Sequence, residues 1–248
     1  MEWTDEGIVL SARRHGETSA IVSLLTAEHG RHHGLVKGGA GRRARGMLQI
    51  GNEVHATWRA RLAEHLGTYA LELVVARAAA LLDDGLRLAG LSAACGLLET
   101  ALPEREPHAD IHAATRALLD ALGTNAHWPQ VYVRWELGLL EALGYALDLS
   151  ACAATGETDD LTHVSPKSGR AVSAGAAAPY RGRLLRLPGF LNGNGAASAD
   201  AAADLQDGLA LTGFFLERHI YAPHRLRMPA ARTRLIDKLS EIATKSGI

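Results

Sequence analysis

Two hydrophobic periods divide the chain. Up to about residue 76 the apolar residues alternate or fall in short runs bounded by turn residues, and beyond it they recur every three to four positions. Gly7 to Arg13 (GIVLSAR) and Thr18 to Thr26 (TSAIVSLLT) flank His15-Gly16 and end at Glu28-His29-Gly30, which predicts a hairpin. Gly34 to Lys37 predicts a third short strand. Val54 to Ala60 alternates, with Val54, Ala56, Trp58 and Ala60 on an inward face and His55, Thr57, Arg59 and Arg61 on the other. Thr68 to Val75 (TYALELVV) supplies a fifth strand. Five short strands in about 80 residues predict a small, partly open barrel such as the OB-fold, and spacing alone equally allows an SH3-like barrel.

Past Ala76 the pattern predicts helices over Leu86 to Leu102 and Ile111 to Leu122, parted by Pro103-Glu104-Arg105-Glu106-Pro107, which no helix runs through. Trp128-Pro129 opens a third helix whose stripe is Val131, Trp135, Leu139 and Leu143, so Trp135 is expected in the core. From Asp148 to Asn194 the chain is irregular and rich in Gly, Ser and Pro. Helical spacing then resumes over Ala199 to Tyr221 and Arg232 to Ala243.

Composition sharpens this picture in one place. The 248 residues are 47% hydrophobic and 21% charged, as in a globular chain. The acidic start MEWTDEGIVL lacks the basic region of a signal peptide, and the apolar stretches are broken by charges such as Arg77 and Glu99 before they reach membrane-spanning length, so a cytoplasmic protein is expected. Charge, however, is segregated. Between Arg31 and Arg61 lie seven cations, Arg31, Lys37, Arg42, Arg43, Arg45, Arg59 and Arg61, against the single acid Glu53, a net +6; the chain is −1, which leaves −7 for the rest. Such a patch attracts phosphate backbones over about a Debye length, so nucleic acid is the expected partner and these seven residues are the candidate DNA-binding set. Arg42, Arg43 and Arg45 are expected on a flexible Gly-rich loop from Gly38 to Gly46.

Other chemistries find less support. Gly38-Gly39-Ala40-Gly41 is not followed by Gly-Lys-Ser/Thr, so it is no phosphate-binding P-loop. His29, His32 and His33 are close in sequence, but no thiol or acid accompanies them as a metal ligand. Cys95 and Cys152 are too few for a disulfide framework or a cysteine-only zinc site. No nucleophile elbow, cysteine with a base or isolated carboxylate pair suggests catalysis, so no enzyme and no cofactor are expected.

Gly7-Ile8-Val9-Leu10, then Gly16-Glu17 leading to Ile21-Val22-Ser23-Leu24-Leu25-Thr26, then Gly34-Leu35-Val36-Lys37-Gly38, a basic loop and Leu48-Gln49, together resemble the N-terminal signature of the bacterial DNA repair family RecO, and the helical remainder extends the likeness along nearly the whole chain. The resemblance implies an α+β fold: an OB-fold barrel over 1–78 and a helical domain over 79–248, with a degenerate zinc-finger-like insertion at about 148–194. It implies a non-catalytic recombination mediator that binds single- and double-stranded DNA, anneals complementary strands, and works with RecR, with single-stranded DNA-binding protein (SSB) and, in some bacteria, with RecF to load RecA, in the cytoplasm and on the nucleoid.

Many relatives carry a four-cysteine zinc module around a Ser-Pro-Lys-x-Gly stretch. Here Ser165-Pro166-Lys167-Ser168-Gly169 and Cys152 remain, while the other three ligand positions are Thr155, Ser173 and Ala176, so no metal is expected. In the family picture SSB offers an acidic C-terminal tail ending in Pro-Phe. Isolated arginines on apolar helices, Arg116 and Arg134, are the candidate rim of its receptor. The alternative function is an OB-fold RNA-binding or ribosome-associated protein, since a basic barrel face suits any polyanionic backbone.

Overall fold

The computed structural model describes residues 1–180, 182–192 and 200–246. The end of the irregular stretch at 193–194, Ala199 and residues 247–248 of the expected helical domain lie outside the described residues. The chain forms two compact units, 1–126 with 229–235, and 127–228 with 236–248.

In the first unit β1 (Glu2–His15), β2 (Ser19–Thr26), β3 (Gly30–Val36), β4 (Glu53–Arg59) and β5 (Thr68–Val75) form a closed barrel in the order β1-β2-β3-β5-β4. All neighbours are antiparallel except β3 and β5, which close the barrel through a single parallel pairing, Leu35 with Thr68. The expected barrel was partly open; that one pairing completes it. β4 alternates as predicted: Val54, Ala56 and Trp58 are buried with Val9, Val22, Leu24, Val36 and Tyr69 in the barrel core. β3 starts at Gly30 rather than Gly34. Gly34 is required within it, because a Cβ there would stand 2.4 Å from the Tyr69 ring.

The Gly38-to-Gly46 segment is not the expected open loop. Arg42–Met47 folds as a short helix, α1. Ala44, Met47 and Leu48 are spaced i, i+3, i+4 and pack on the barrel core, while Arg42, Arg43 and Arg45 stay exposed. Removing these apolar side chains from water overrides the weak helical propensity of a six-residue, glycine-flanked segment.

Past β5 a short turn, α2 (Arg77–Ala80), leads to α3 (Gly85–Ala101) and α4 (Ala109–Thr124). The Asp84 side chain caps α3 by accepting from the Leu86 and Arg87 amides. α3 lies on the barrel: Ser11 Oγ donates to Glu99 at 3.0 Å, and the loop after α3 bridges β3, the Arg105 amide donating to the Arg31 carbonyl at 2.8 Å.

In the second unit α5 (Trp128–Ala142) packs on α7 (Ala201–Leu216), which runs on into a π-helical turn at Glu217–Tyr221. Trp135 is buried as expected, beside Tyr132, Leu139 and Leu140. Between these helices a small sheet of β6 (Leu161–Val164), β7 (Ala171–Ser173) and β8 (Leu185–Arg186), in the order β7-β6-β8, is joined to the one-turn helix α6 (Ala174–Ala177). α8 (Ala230–Ser246) ends the described chain. Among the described residues no helix is long and apolar enough to cross a membrane.

Candidate nucleic-acid interface

The strand register decides which of the seven candidate cations meet. Arg14 pairs across to Ala20, and Ala20 to Val36, so the tip of the β1–β2 hairpin and the end of β3 lie side by side, with Lys37 and α1 following. This assembles Lys37, Arg42, Arg43 and Arg45 with two cations that the sequence reading left out, Arg13 and Arg14. A cleft of about 350 Å³ is lined by Arg13, Arg14 and Arg45 with Gln49, and by no acid. A second, of about 800 Å³, is lined by Arg42 and Arg43 together with Met47, Leu71 and Leu73, and by one acid, Glu72.

The pairing state of these cations separates them further. Lys37, Arg42, Arg43 and Arg45 are exposed, and among the described residues none of them has a carboxylate within ion-pair distance. Arg14 spans its own turn, donating to the Gly16 and Glu17 carbonyls. Arg31 is half-buried and donates to the Leu102 carbonyl at 2.9 Å, which ties β3 to the end of α3. Arg59 pairs with Glu2 at 2.7 Å, an exposed contact worth little in water. Arg59 stands opposite Thr68, which pairs with Leu35 two residues before Lys37, so closure of the barrel brings Arg59 beside the end of β3.

Part of the β2–β3 face that oligonucleotide-binding barrels commonly use is occupied by the helical layer. Ser23, Leu25 and Thr26 are buried. On β3, His33 sits between Glu99 at 3.5 Å and Glu104 at 3.3 Å. The hydrogen bond that His33 donates to Glu99 outweighs partial burial and raises the His33 pKa, and donors from His33, Ser23 and Ser11 hold Glu99 below the usual carboxylate range despite its burial. The three neighbouring histidines therefore have separate roles and no common focus. His29 stacks on Trp3 at 4.1 Å and bonds Asp5, His32 bonds Tyr69 inside the barrel, and His33 joins α3. Among the described residues no group of His, Cys, Asp or Glu could hold a metal ion.

Arg116 on α4 is engaged: it lies 3.3 Å from Glu53, a buried carboxylate also gripped by Arg77 at 2.6 Å, and 3.7 Å from Glu6. Arg134 on α5 is exposed. It donates to the Phe190 carbonyl at 2.7 Å, with its guanidinium 5.4 Å above the Phe190 ring.

The residues at the former ligand positions do not suit zinc. Cys152 is buried, and its sulfur accepts from the Ser173 amide at 3.3 Å and the Ser173 hydroxyl at 3.4 Å. Burial pushes the thiol up, but donors from Ser173, Thr155 and the Ala154 amide bring it down to about 6. Hydroxyl donors thus satisfy the sulfur from within, and Ala176 supplies no ligand atom.

A closed barrel of OB-fold strand order, with unpaired cations gathered around α1, defines a protein of the nucleic-acid-binding barrel class. Residues 1–76 match the family model described as Recombination protein O N terminal, and residues 82–228 match Recombination protein O C terminal. The chain is 58% identical over 250 residues to the DNA repair protein RecO of Rhodospirillum centenum, covering 100% of this chain and 98% of that one. It is 55% identical over 244 residues to that of Rhodospirillum rubrum, covering 96% of each, and 51% identical over 242 residues to that of Cereibacter sphaeroides, covering 97% and 99%. The chain belongs to the RecO family of DNA repair proteins.

Proposed function

We propose that this chain is a non-catalytic recombination mediator, acting in the cytoplasm on nucleoid DNA, that binds single- and double-stranded DNA around α1 and anneals complementary strands. The observation that carries the reading is the cluster of exposed, unpaired cations Lys37, Arg42, Arg43 and Arg45 beside Arg13 and Arg14. An unpaired cation releases a counterion from DNA on contact without first breaking an internal ion pair. Arg31 acts mainly as a structural tie in this reading, and Arg59 and Arg61 extend the track toward the far end of β4. DNA repair is the setting that membership of the family gives; annealing, loading of RecA onto SSB-coated strands, and work with RecR and RecF are the finer functions proposed. For the SSB tail, Arg134 over Phe190 offers a cation beside an aromatic ring, whereas Arg116 is already taken by Glu53 and Glu6. The former zinc module would keep its shape as a metal-free finger, with Cys152 hydrogen-bonded in the metal's place.

The test is the salt dependence of oligonucleotide affinity. If about four phosphates are neutralised, the log–log slope on single strands is roughly −0.7 × 4, or about −3. Replacing Arg42, Arg43 and Arg45 together by Ala is expected to weaken binding alike across sequences and flatten that slope. Unchanged affinity and slope would move the interface elsewhere, and a strong preference for the same strand as RNA would favour an RNA-binding role.

A further inference from the structure

The two clefts beside α1 differ in chemistry. The one at Arg13, Arg14 and Arg45 is lined by cations and small or polar residues, as a phosphate backbone requires. The one at Arg42 and Arg43 has an apolar floor of Met47, Leu71 and Leu73, and one of its walls is β5. β5 pairs with β4 along its whole length, but with β3 only at Thr68. From Tyr69 to Val75 its other edge therefore has no strand partner among the described residues, and this is the edge that the barrel order turns toward β3 and α1. Leu73, Val74 and Val75 are 46%, 51% and 37% exposed, a run of three accessible aliphatic side chains on an unpaired edge. Proteins normally shorten, charge or cover such an edge, because its free amides and carbonyls template another strand. Here a lone charge, Glu72, interrupts it.

We propose that β5 and the cleft beside it form a docking site for an extended segment of a partner protein, apolar at every second residue and acidic between, which adds a strand to the free edge. This goes beyond the DNA-binding reading and does not depend on it, but Arg42 and Arg43 serve both, so a phosphate backbone and the peptide would compete for them. Backbone pairing would supply register and much of the affinity. Alternate apolar side chains would enter the floor at Met47, Leu71 and Leu73, and intervening carboxylates would meet Arg42 and Arg43. Charge selects this occupant: the two rim arginines outnumber the one lining acid, Glu72, and among the described residues neither has a carboxylate within ion-pair distance, so a neutral or basic strand would leave them unpaired. Single-stranded nucleic acid suits the cleft less well, since its floor has aliphatic side chains and no aromatic face on which a base could stack.

The probe is a fluorescein-labelled nine-residue peptide alternating leucine or valine with aspartate, titrated into the full chain by anisotropy. Two controls accompany it: the same residues in block order, and the alternating peptide N-methylated at every second amide. Saturable binding at about 10–100 μM is expected, with a loss of roughly tenfold on N-methylation, the size of about one or two hydrogen bonds. Leu73→Thr, at an exposed position that tolerates a β-branched residue, is expected to weaken the peptide about fivefold and leave oligonucleotide affinity unchanged. Glu72→Lys is expected to tighten it. Amide exchange in the Tyr69–Val75 segment should slow when the peptide binds. No saturable binding, equal binding of the N-methylated peptide, or indifference to Leu73→Thr would overturn the proposal. So would protection of the Tyr69–Val75 amides by an oligothymidylate alone, which would assign the cleft to DNA, or by raised protein concentration alone, which would assign it to a second copy.

Discussion

Acidification should unfold the barrel from the inside, through His32. The side chain is 3% exposed, with Trp58 and Trp3 set edge-on to it at 4.9 Å and 5.0 Å. The Tyr69 hydroxyl donates to the His32 carbonyl at 3.2 Å, so its oxygen is free to accept from Nδ1, 3.1 Å away, which fixes a neutral imidazole protonated on Nδ1. Burial, reinforced by the nearby Arg105, lowers its pKa from 6.5 to about 4. Between those two values the unfolded chain takes up a proton that the folded chain refuses, so stability declines as the pH falls from 6.5 to 4. The difference, 6.5 − 4 = 2.5 pH units at about 1.4 kcal/mol each, comes to about 3 kcal/mol. His33 works the other way: its raised pKa adds stability at acid pH that is lost as the pH rises through the folded value. His32→Leu isolates the effect, because Tyr69 still donates to the backbone carbonyl, and the cost at pH 7.5 should be about 1 kcal/mol. Urea unfolding is followed by amide exchange in peptides from β2 and β3, so that the barrel is read by itself. The native chain should lose about 3 kcal/mol relative to His32→Leu between pH 7 and pH 4. Parallel stability curves for the two proteins would refute the reasoning.

Two further outcomes follow from local geometry. Gly34→Ala would push a methyl to within 2.4 Å of a Tyr69 ring held by His32, and should cost about 1–3 kcal/mol by the same exchange measurement; a change below about 0.5 kcal/mol would mean that the ring moves freely. The purified protein should contain no stoichiometric zinc and keep its melting temperature in a chelator, because hydrogen bonds already satisfy the Cys152 sulfur; elemental analysis finding about one zinc per chain would overturn this.

What the sequence reveals of this fold depends on how local each cause is. The alternation of β4 needs only a two-residue period and one buried face, so Val54, Ala56 and Trp58 were placed correctly from the sequence alone. The helix at Arg42–Met47 had a signal of the same kind, Ala44, Met47 and Leu48 at i, i+3, i+4, but glycines at both ends and three arginines within it read locally as a loop. What makes it a helix is the open end of the barrel, which exists only once five strands have closed. Arg13 and Arg14 were missed for a related reason. They stand 24 and 23 residues before Lys37 in the chain, and only the β1–β2–β3 register brings the hairpin tip beside α1.

The pairing state of a charge is less legible still. In the sequence Arg116 stands alone between Thr115 and Ala117 while Arg43 sits in the cluster Arg42-Arg43-Ala44-Arg45, and neither setting tells whether the charge is paired. In the fold Arg116 meets Glu53, 116 − 53 = 63 residues earlier, in a network with Arg77 around a buried carboxylate, while Arg43 faces a cleft whose one lining acid, Glu72, is not within ion-pair distance of it. The same guanidinium is thus a structural tie in one place and an open phosphate or carboxylate site in the other. A buried ion pair is destabilising to break from one side, so Arg116 is held in place by the cost of leaving Glu53 with only Arg77. No such cost restrains Arg43. On the proposed reading the DNA-binding cations are therefore those that folding leaves unpaired, a property of the assembled unit that net charge along the chain could bracket in part between Arg31 and Arg61 but could not resolve to single residues.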